Sequence, residues 1–396
     1  MSKLKTNTIQ HTGGSADNIT LDNSQNVTIE GNATVDGTST LTGNVTASGN
    51  LTVSGTTTIS GYNPTSSRNN RNLIINGAMN VAQRGTSSTS TLYQTVDRFG
   101  LYTSGTDEAP TQSQVDIASG NTPYTLGFRK AYKVTNGNQT GGAGTSDYIM
   151  LRHKIESQDV AKSGWNYTSS SSNVTLSFWV KASVAQNYYF SVLSSDGTLQ
   201  NYPMETGSLT ANTWTKITKT IPGATGVQFN NDNGIGIELD WWVFAGTTYT
   251  STPDVTLNAW AAYASGTRFP DHTSTWYTTN DATFEITGVQ LEVGSAATDF
   301  EHRSYGDELI RCSRYHQSYS GDGVVIFNEY NRDNSNCWAE LWLHTRMRSA
   351  PSYVISNLGA GAVTGGGSND HKIVLQATNA NTHFNDGTTW TASAEL

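Results

Sequence analysis

The stretch Val174-Thr-Leu-Ser-Phe-Trp-Val-Lys181 alternates between two kinds of residue for most of its length. Its aliphatic and phenylalanine side chains lie at every second position, namely 174, 176, 178 and 180. Because successive side chains of a β-strand point to opposite faces, these four share one face. The stretch therefore predicts a strand that turns an apolar face toward a core.

Similar strand patterns lie on both sides of this stretch. Turn sequences rich in Ser, Asn, Asp and Gly separate them, as at Ser194–Gly197 and Asn230–Gly234. Several strands joined by such turns, without helical periodicity, predict an antiparallel β-sandwich of the jelly-roll type over residues 62–303. The other strand patterns are Tyr188–Leu193, Trp214–Ile221, Ile235–Phe244 and Thr283–Glu292.

A six-residue repeat occupies the chain from Asn26 to Gly61: NVTIEG, NATVDG, TSTLTG, NVTASG, NLTVSG and TTTISG. Every unit has Thr at its third position and Gly at its sixth, and the fourth position is always apolar. Alternation places the second and fourth side chains on one face, while Thr points outward. Gly provides the corner, since positive φ is easily reached there. Each unit thus predicts a very short strand followed by a turn.

One unit of this repeat cannot be stable alone. Ordering six backbones costs about 6–12 kcal/mol, whereas burial of one or two aliphatic side chains returns about 2–6 kcal/mol. Six units would also form too short a stack for a single-chain β-helix. We therefore predict an intertwined homotrimeric β-stem over residues 18–61, and the alternative is a solvated linker. The side chains predicted to face the trimer axis are Ile29, Val35, Leu41, Val53 and Ile59.

The C-terminal part, residues 304–396, is predicted to be a small β-rich domain that opens with a helix. The segment Ser304–His316 has a capping residue at its start, either Ser304 or Asp307, and acidic residues in its first turn. Leu309, Cys312 and His316 would share one stripe of that helix. Strand patterns follow at Gly323–Phe327, Asn336–Leu343 and Met347–Ile355.

The composition excludes several classes of function. Charged residues make up 14% of the chain, and 23 Lys and Arg against 32 Asp and Glu give a net charge of −9. A nucleic-acid-binding protein would carry basic clusters instead. The apolar runs are far shorter than the ~20 residues that a membrane span requires. We therefore expect neither nucleic acid as a partner nor insertion into a membrane.

No enzyme signature is visible in the sequence. The chain has no G-x-S-x-G, Walker loop, H-E-x-x-H or C-x-x-C motif, and the histidines lack metal-ligand spacing. We predict no catalytic residue, metal site or cofactor. Glycosidases require two carboxylates that flank one bond, and pairs such as Glu238 with Asp240 or Glu285 with Glu292 keep that reaction open as an alternative.

Aromatic residues outside the alternating strands are candidates for sugar binding, because the C–H faces of a pyranose pack on an aromatic ring. Polar neighbours would then bind the hydroxyl groups. Trp179 and Trp242 lie within strand patterns, and we predict that both are structural. The candidate ligand-binding residues are Trp165, Tyr167, Trp260, Tyr263, Asp271, His272, Trp276 and Tyr277.

Several segments resemble bacteriophage tail fibres and related virion receptor-binding proteins. The hexad repeat resembles the shafts of tail fibres and tailspikes. Four further segments resemble parts of tail-fibre chains: Asn72–Gly85 followed by Asp97-Arg-Phe99, Gln290–Gly294, Asp299–Arg303 and Glu308–Gln317. The strands SFWVKA, NTWTKITKTI and FEITGVQLEVG resemble carbohydrate-binding modules with a galactose-binding-like jelly roll.

The resemblance implies a homotrimeric fibre of the virion, on the tail or elsewhere on the particle. Residues 1–17 would then bind other tail or capsid proteins, and the sandwich would attach to a glycan of the host cell surface. Two alternatives stay open. One is a glycan depolymerase related to tailspikes, and the other is a purely structural connector of the particle.

Overall fold

A computed structural model describes residues 8–9, 19–21, 27–29, 70–252, 254–319, 327–333, 336–356, 363–377 and 389–396. The chain divides into two compact units, Met1–Asn63 and Pro64–Leu396. The second unit contains both the region predicted as a sandwich and the region predicted as a separate C-terminal domain. The domain boundaries predicted after residues 17, 61 and 303 stay predictions.

The first unit contains a small antiparallel sheet in the order β1-β2-β3, formed by β1 (Thr8–Ile9), β2 (Ile19–Leu21) and β3 (Val27–Ile29). Ile19 pairs with Ile9 on one side and with Ile29 on the other. Ile29 is the first predicted stem residue and lies in β3. Val35, Leu41, Val53 and Ile59 lie outside the described residues, so the homotrimeric stem stays a prediction.

Among the described residues of the second unit, nearly all of the regular secondary structure is β-strand, which confirms the all-β prediction. In chain order its strands are β4 (Ser87–Ser88), β5 (Phe99–Ser104), β6 (Thr111–Asp116), β7 (Lys130–Thr135), β8 (Tyr148–Glu156), β9 (Asn173–Ala182), β10 (Asn187–Ser194), β11 (Gln200–Ser208), β12 (Thr215–Pro222), β13 (Ile235–Ala245), β14 (Ala261–Ala262), β15 (Thr283–Val293), β16 (His316–Tyr319), β17 (Phe327–Asp333), β18 (Asn336–Trp342), β19 (Ser352–Ser356), β20 (Val363–Ser368), β21 (Lys372–Ala377) and β22 (Thr389–Ser393). Its helices are α1 (Thr122–Thr125), α2 (Ser157–Ala161) and α3 (Tyr305–Ser313).

Two six-stranded sheets form the sandwich. The first sheet has the order β14-β11-β10-β13-β8-β5, and the second has the order β12-β9-β15-β7-β6-β4. Neighbouring strands pair antiparallel throughout both sheets. The strands predicted over residues 174–293 are all present, as β9, β10, β12, β13 and β15.

The core lies between the two sheets and contains the predicted apolar face of β9. Val174, Leu176, Phe178 and Val180 are buried there. The ring of Phe178 lies 5.7 Å from that of Trp241, which belongs to β13 of the opposite sheet. Edge-to-face contacts of this kind add to the stabilisation that apolar burial gives. The alternation of one strand therefore identifies the inner face of the second sheet.

The C-terminal part begins with α3, whose first turn is capped as predicted. The Ser304 hydroxyl accepts a hydrogen bond from the backbone N–H of Asp307 at 3.2 Å. The helix ends at Ser313, and His316 is the first residue of β16. The prediction that His316 continues the helical stripe of Cys312 is therefore wrong. Burial of Tyr315 and His316 under the sandwich accounts for the early end of the helix.

The described residues of the second unit also form two smaller antiparallel sheets, with the orders β16-β22-β19 and β17-β18-β21-β20. Side chains of both sheets share a small core, which includes Leu341, Met347, Ile373 and Trp390. The predicted strand at Met347–Ile355 is shorter than expected and is represented by β19. Pro351 precedes β19, and a proline has no N–H to donate to a sheet.

Arginines connect the small sheets to the sandwich. Arg98, which is fully buried, donates a hydrogen bond to the carboxylate of Glu395 and another to the backbone oxygen of Lys154 at 2.7 Å. Arg348 donates to the backbone oxygens of Asn233 and Ala394 at 2.8 and 3.0 Å. These bonds fix the position of β22 against the first sheet of the sandwich.

Candidate functional site

A cleft of about 830 Å³ lies where the small sheet β16-β22-β19 meets the edge of the sandwich. We call it the edge cleft. One wall belongs to β5 and to residues 92–94, and the other belongs to β16 and β22. Its volume is in the upper part of the range of small-molecule sites, about 300–1,000 Å³.

The sandwich wall of the edge cleft presents two tyrosines, Tyr93 and Tyr102. Leu92 is tied to β5 by a pair of backbone hydrogen bonds with Leu101, 2.5 and 3.1 Å long, which places Tyr93 beside the sheet edge. Gly100 lies beneath both rings. A Cβ atom on Gly100 would be 3.1 Å from Tyr102 Cε2 and 3.2 Å from Tyr93 Cε1. Glycine at this position therefore leaves room for both rings to lie on the wall.

The opposite wall is a polar face of two paired strands. In the antiparallel register His316 pairs with Ser393, and Ser318 pairs with Thr391. Because alternate residues share a face, these four side chains point to the same side, and all four residues line the cleft. The wall thus offers three hydroxyl groups and one imidazole.

His316 is the most unusual group in the edge cleft. Burial, with a smaller contribution from the positive charge of Arg84, lowers its pKa to about 3. The ring is therefore neutral near pH 7, so one nitrogen is a donor and the other an acceptor. Neither nitrogen has a hydrogen-bond partner among the described residues, although His316 is only 4% exposed. Leaving a buried polar group unpaired costs about 1–3 kcal/mol.

The charged groups around the edge cleft neutralise one another. Arg84 Nη2 lies 2.8 Å from Glu395 Oε1, and Arg84 Nη1 lies 3.7 Å from Asp97 Oδ1. Arg98 contacts the other carboxylate oxygen of Glu395. Two guanidinium groups therefore face two carboxylates. These four side chains therefore leave no net charge at the cleft that would favour an ionic ligand.

Three of the predicted sugar-binding aromatics lie inside the sandwich core. Trp165, Trp276 and Tyr277 are 3%, 0% and 0% exposed. The indole of Trp276 donates to the backbone oxygen of Thr283 at 3.0 Å, and the ring of Tyr277 stacks on Phe244 at 4.1 Å. No face of these rings is open to a ligand. Their loops fold inward because each ring gains more from burial than from exposure.

The other predicted residues are more exposed but do not meet at one place. Tyr167 packs edge-on against Phe229 at 4.8 Å. The indole of Trp260 donates to the backbone oxygen of Pro222 at 2.6 Å. These two therefore cover the rim of the core.

Tyr263, Asp271 and His272 belong to the chain segment between β13 and β15. Arg268 lies over the Tyr263 ring at 5.3 Å, and Asp271 Oδ1 accepts a hydrogen bond from Thr250 at 2.6 Å. The His272 ring packs near Tyr189 at 5.2 Å, and burial lowers the pKa of His272. These contacts hold the segment against the sandwich.

No direct signal for the edge cleft is visible in the sequence. Tyr102 and His316 lie far apart in the chain, and Tyr102 belongs to β5, whose sequence FGLYTS contains no binding motif. The one usable sign was Gly100 between the buried residues Phe99 and Leu101, since a glycine within a strand often marks a close approach.

The carboxylate pairs proposed for hydrolysis are engaged with other groups. Arg152 holds both Glu238, at 2.7 Å, and Asp240, at 2.6 Å. Glu285 lies 3.0 Å from Lys181, and Glu292 accepts a hydrogen bond from Thr298 at 2.7 Å. None of these four carboxylates lines the edge cleft.

The described part of the chain contains no group of three or more His, Cys, Asp or Glu side chains arranged to hold a metal ion. Among the same residues, no helix has the length and apolarity needed to cross a bilayer.

No protein-family model matches the chain, and no curated protein matches it. Solved structures give distant likenesses. One is the enzymatically active domain of tailspike protein 4 from bacteriophage CBA120, with 10% identity, a TM-score of 0.30 and coverage of 57% of this chain and 22% of that one. The chain thus aligns with less than a quarter of the tailspike chain.

Two further likenesses have a similar extent. The N-terminal cellulose-binding domain of a Cellulomonas fimi β-1,4-glucanase shares 9% identity at a TM-score of 0.26, over 55% of this chain and 99% of that one. A structure described as a putative sugar-binding protein from Bacteroides thetaiotaomicron shares 11% identity at a TM-score of 0.28, over 56% of this chain and 100% of that one. At these TM-scores none of the likenesses supports a conclusion about this chain.

Proposed function

We propose that the second unit binds a neutral carbohydrate in the edge cleft. The observation that carries the proposal is His316, a buried and neutral imidazole that lines the cleft and has no hydrogen-bond partner at either ring nitrogen among the described residues. Both nitrogens are covered in the unliganded chain. A sugar hydroxyl is both a donor and an acceptor, so hydroxyls can pair with the nitrogens once the ring turns toward the cleft. Binding would thereby remove the cost of two unpaired polar atoms.

The rest of the edge cleft supports the same ligand class. Tyr102, with the buried Tyr93 beside it, offers ring surface for the C–H face of a pyranose, and Ser318 and Thr391 offer hydroxyls on the opposite wall. Sites for small polar ligands commonly combine aromatic surface with a few placed polar groups. The pairing of Arg84 with Glu395 favours an uncharged ligand, because neither group is left to neutralise an ion.

We further propose that the site binds its ligand without hydrolysing it. Acid–base cleavage of a glycosidic bond requires two free carboxyl groups on either side of the bond. Glu395 is the carboxylate that lines the edge cleft, and it is held by Arg84 and Arg98. This supports binding over the depolymerase alternative.

For the whole chain we propose a homotrimeric virion fibre that attaches to a host surface glycan. The support comes from the sequence: the hexad repeat over residues 26–61 and the segments that resemble tail fibres. Residues 1–17 would connect the fibre to other virion proteins. Three copies of a weak site gain avidity through effective concentration, so a shallow cleft is sufficient for attachment.

The test is binding of the purified full chain to immobilised neutral polysaccharides, namely dextran, mannan, galactan and β-glucan, with alginate as an acidic comparison. We expect saturable binding to at least one neutral polysaccharide, weaker binding to alginate and no new reducing ends. Release of reducing ends would support the depolymerase. No binding to any of the panel, together with no adsorption to host cells, would favour the structural connector.

A further inference from the structure

The second sheet of the sandwich carries another cleft, on the face turned away from the core. We call it the face cleft. Its volume is about 310 Å³, and it lies between β9, β12 and the two segments around residues 126–128 and 298–302. It shares no lining residue with the edge cleft. A volume near the lower limit of small-molecule sites suits one sugar residue better than an extended chain.

Aromatic rings form one side of the face cleft. The rings of Phe128, Phe300 and His302 lie 4.8, 5.1 and 4.9 Å from one another, so each contacts both others. His302 Nε2 lies 2.9 Å from the backbone oxygen of Leu126, which fixes the imidazole in place. The half-buried indole of Trp179 completes the aromatic surface. The sequence predicts a structural role for Trp179, and in the structure its side chain also lines the face cleft.

Gly288 forms the floor of the face cleft and brings two of these rings together. It lies at a bulge in β15, where the pairing with β9 shifts between Thr287 and Gln290. Its φ of +62° is one that L side chains rarely adopt. A Cβ atom at Gly288 would lie 2.7 Å from Phe128 Cζ and 3.2 Å from Trp179 Cδ1. A residue other than glycine would push these rings apart.

Polar groups without protein partners surround the aromatic surface. The Ser177 hydroxyl, the Lys216 ammonium and the Asp299 carboxylate line the face cleft, and none of their side chains has a hydrogen bond or ion pair among the described residues. Lys216 and Asp299 are exposed and have opposite charges. An aromatic surface with separate donors and acceptors around it matches a pyranose, which has apolar C–H faces and hydroxyl groups at its edge.

We infer that the face cleft is a second carbohydrate subsite, which takes a single pyranose residue such as a branch or a chain end. The inference rests on the proposed function for its ligand class and on separate residues for its location. Each chain would then hold a glycan at two places, one at the sandwich edge and one on the outer face of the second sheet. Two weak contacts to one polymer bind more tightly than either alone.

The experiment uses the full chain labelled with 5-fluorotryptophan, in which Trp179→Phe identifies the ¹⁹F line of Trp179. The probes are the methyl glycosides of glucose, galactose, mannose and N-acetylglucosamine at millimolar concentrations. We expect the Trp179 line to shift saturably with at least one probe. Failure of all four probes to move this line would overturn the inference.

Two surface variants separate a subsite from incidental contact. Leu126→Glu places a charge on a half-exposed rim residue and should abolish the shift, and Lys216→Ala should weaken binding about tenfold. Thr218→Ala, an exposed residue of the same strand outside the cleft, is the matched control and should change nothing. A shift that Leu126→Glu leaves unchanged would also overturn the inference.

The same titration on His316→Phe distinguishes the two proposals. That variant lacks the central group of the edge cleft, so the Trp179 line should still shift. If the wild-type chain binds no polysaccharide of the panel but the Trp179 line responds, the proposed edge site is wrong and the face cleft stands. If the wild-type chain binds a polysaccharide of the panel but the Trp179 line does not respond, the inference about the face cleft is wrong and the proposed edge site stands.

Discussion

Arg314 and Glu156 form a two-pronged ion pair, in which Arg314 Nε lies 2.6 Å from Glu156 Oε1 and Nη2 lies 2.8 Å from Oε2. Glu156 ends β8 of the sandwich, and Arg314 follows the last residue of α3. The Tyr315 hydroxyl donates a further hydrogen bond of 2.6 Å to Glu156. The pair thus connects the first sheet to the segment that leads directly into His316, and it holds one wall of the edge cleft against the other.

Arg314→Ala should therefore reduce both stability and binding. Loss of two charge-assisted hydrogen bonds to the fully buried Glu156 should lower the free energy of unfolding by about 2–3 kcal/mol. Binding to the polysaccharide should weaken, since the β16 wall loses its anchor. Chemical denaturation and surface binding measure the two effects. Arg346→Ala, which removes an exposed ion pair with Asp370, is the control and should cost less than about 1 kcal/mol. Equal effects of both substitutions would contradict this account.

The pH dependence of stability should show the buried His316. Its pKa is about 3 in the folded chain and 6.5 in an ordinary environment. Because the folded pKa is depressed, the unfolded state binds more protons below pH 6.5, and folded stability falls as the pH decreases from about 6.5 to 3.

In His316→Phe the free energy of unfolding should fall less between pH 6.5 and 3, and the difference from the wild type should reach a few kcal/mol near pH 3. Denaturation midpoints measured between pH 7 and 3 for both chains give the difference. Near pH 7 the variant should be as stable as the wild type or more so, since it removes two unpaired polar atoms. Parallel curves for the two chains would mean that His316 is not buried in the neutral form.

Gly100→Ala should disturb the sandwich wall of the edge cleft. The new Cβ would lie 3.1–3.2 Å from the rings of Tyr102 and Tyr93, so both rings must move by a few tenths of an ångström. We expect binding to weaken about tenfold and stability to fall by about 1 kcal/mol. Gly306→Ala is the control, because nothing lies within 4 Å of a Cβ there and a helix prefers alanine. Unchanged binding in Gly100→Ala would mean that Tyr93 and Tyr102 are not part of the binding site.

The trimer prediction depends on the inward residues of the hexad repeat. Replacing Leu41 and Val53 together by Asp should dissociate or unfold the stem, because a buried charge without a partner is costly. The control replaces Thr40 and Thr52 by Asp at positions predicted to point outward. Sedimentation should give one-third of the wild-type mass for the first variant and the full mass for the control. A double variant that remains a trimer with an unchanged melting temperature would contradict the stem.

The fold was largely predictable because its signals are local. The alternation in β9 depends only on neighbouring residues, and so does the capping of α3 by Ser304. The end of α3 was not predictable in this way. The spacing of His316 from Leu309 and Cys312 predicts that it continues the helix. Instead, His316 is buried and pairs with Ser393, which places it in a strand. Contacts between distant segments decide such boundaries.

The candidate site was not predictable for the same reason. Trp276 and Trp165 lie in loop-like sequences, and composition cannot say whether a loop folds its aromatic ring inward. The edge cleft combines Tyr102 with His316, and the face cleft combines Trp179 with Phe300. Each pair meets only after the strands have assembled. Trp165, Trp276 and Tyr277 are buried, so a position outside a strand pattern does not by itself identify exposed aromatic surface.

The most direct test of the central claim is the affinity of wild-type and His316→Phe chains for the neutral polysaccharide that the wild type binds. We expect the wild type to bind saturably and His316→Phe to lose binding at least about tenfold while it stays folded. His344→Phe, an exposed histidine outside the edge cleft, should bind like the wild type. Full affinity in a folded His316→Phe chain would contradict the claim that the edge cleft binds carbohydrate.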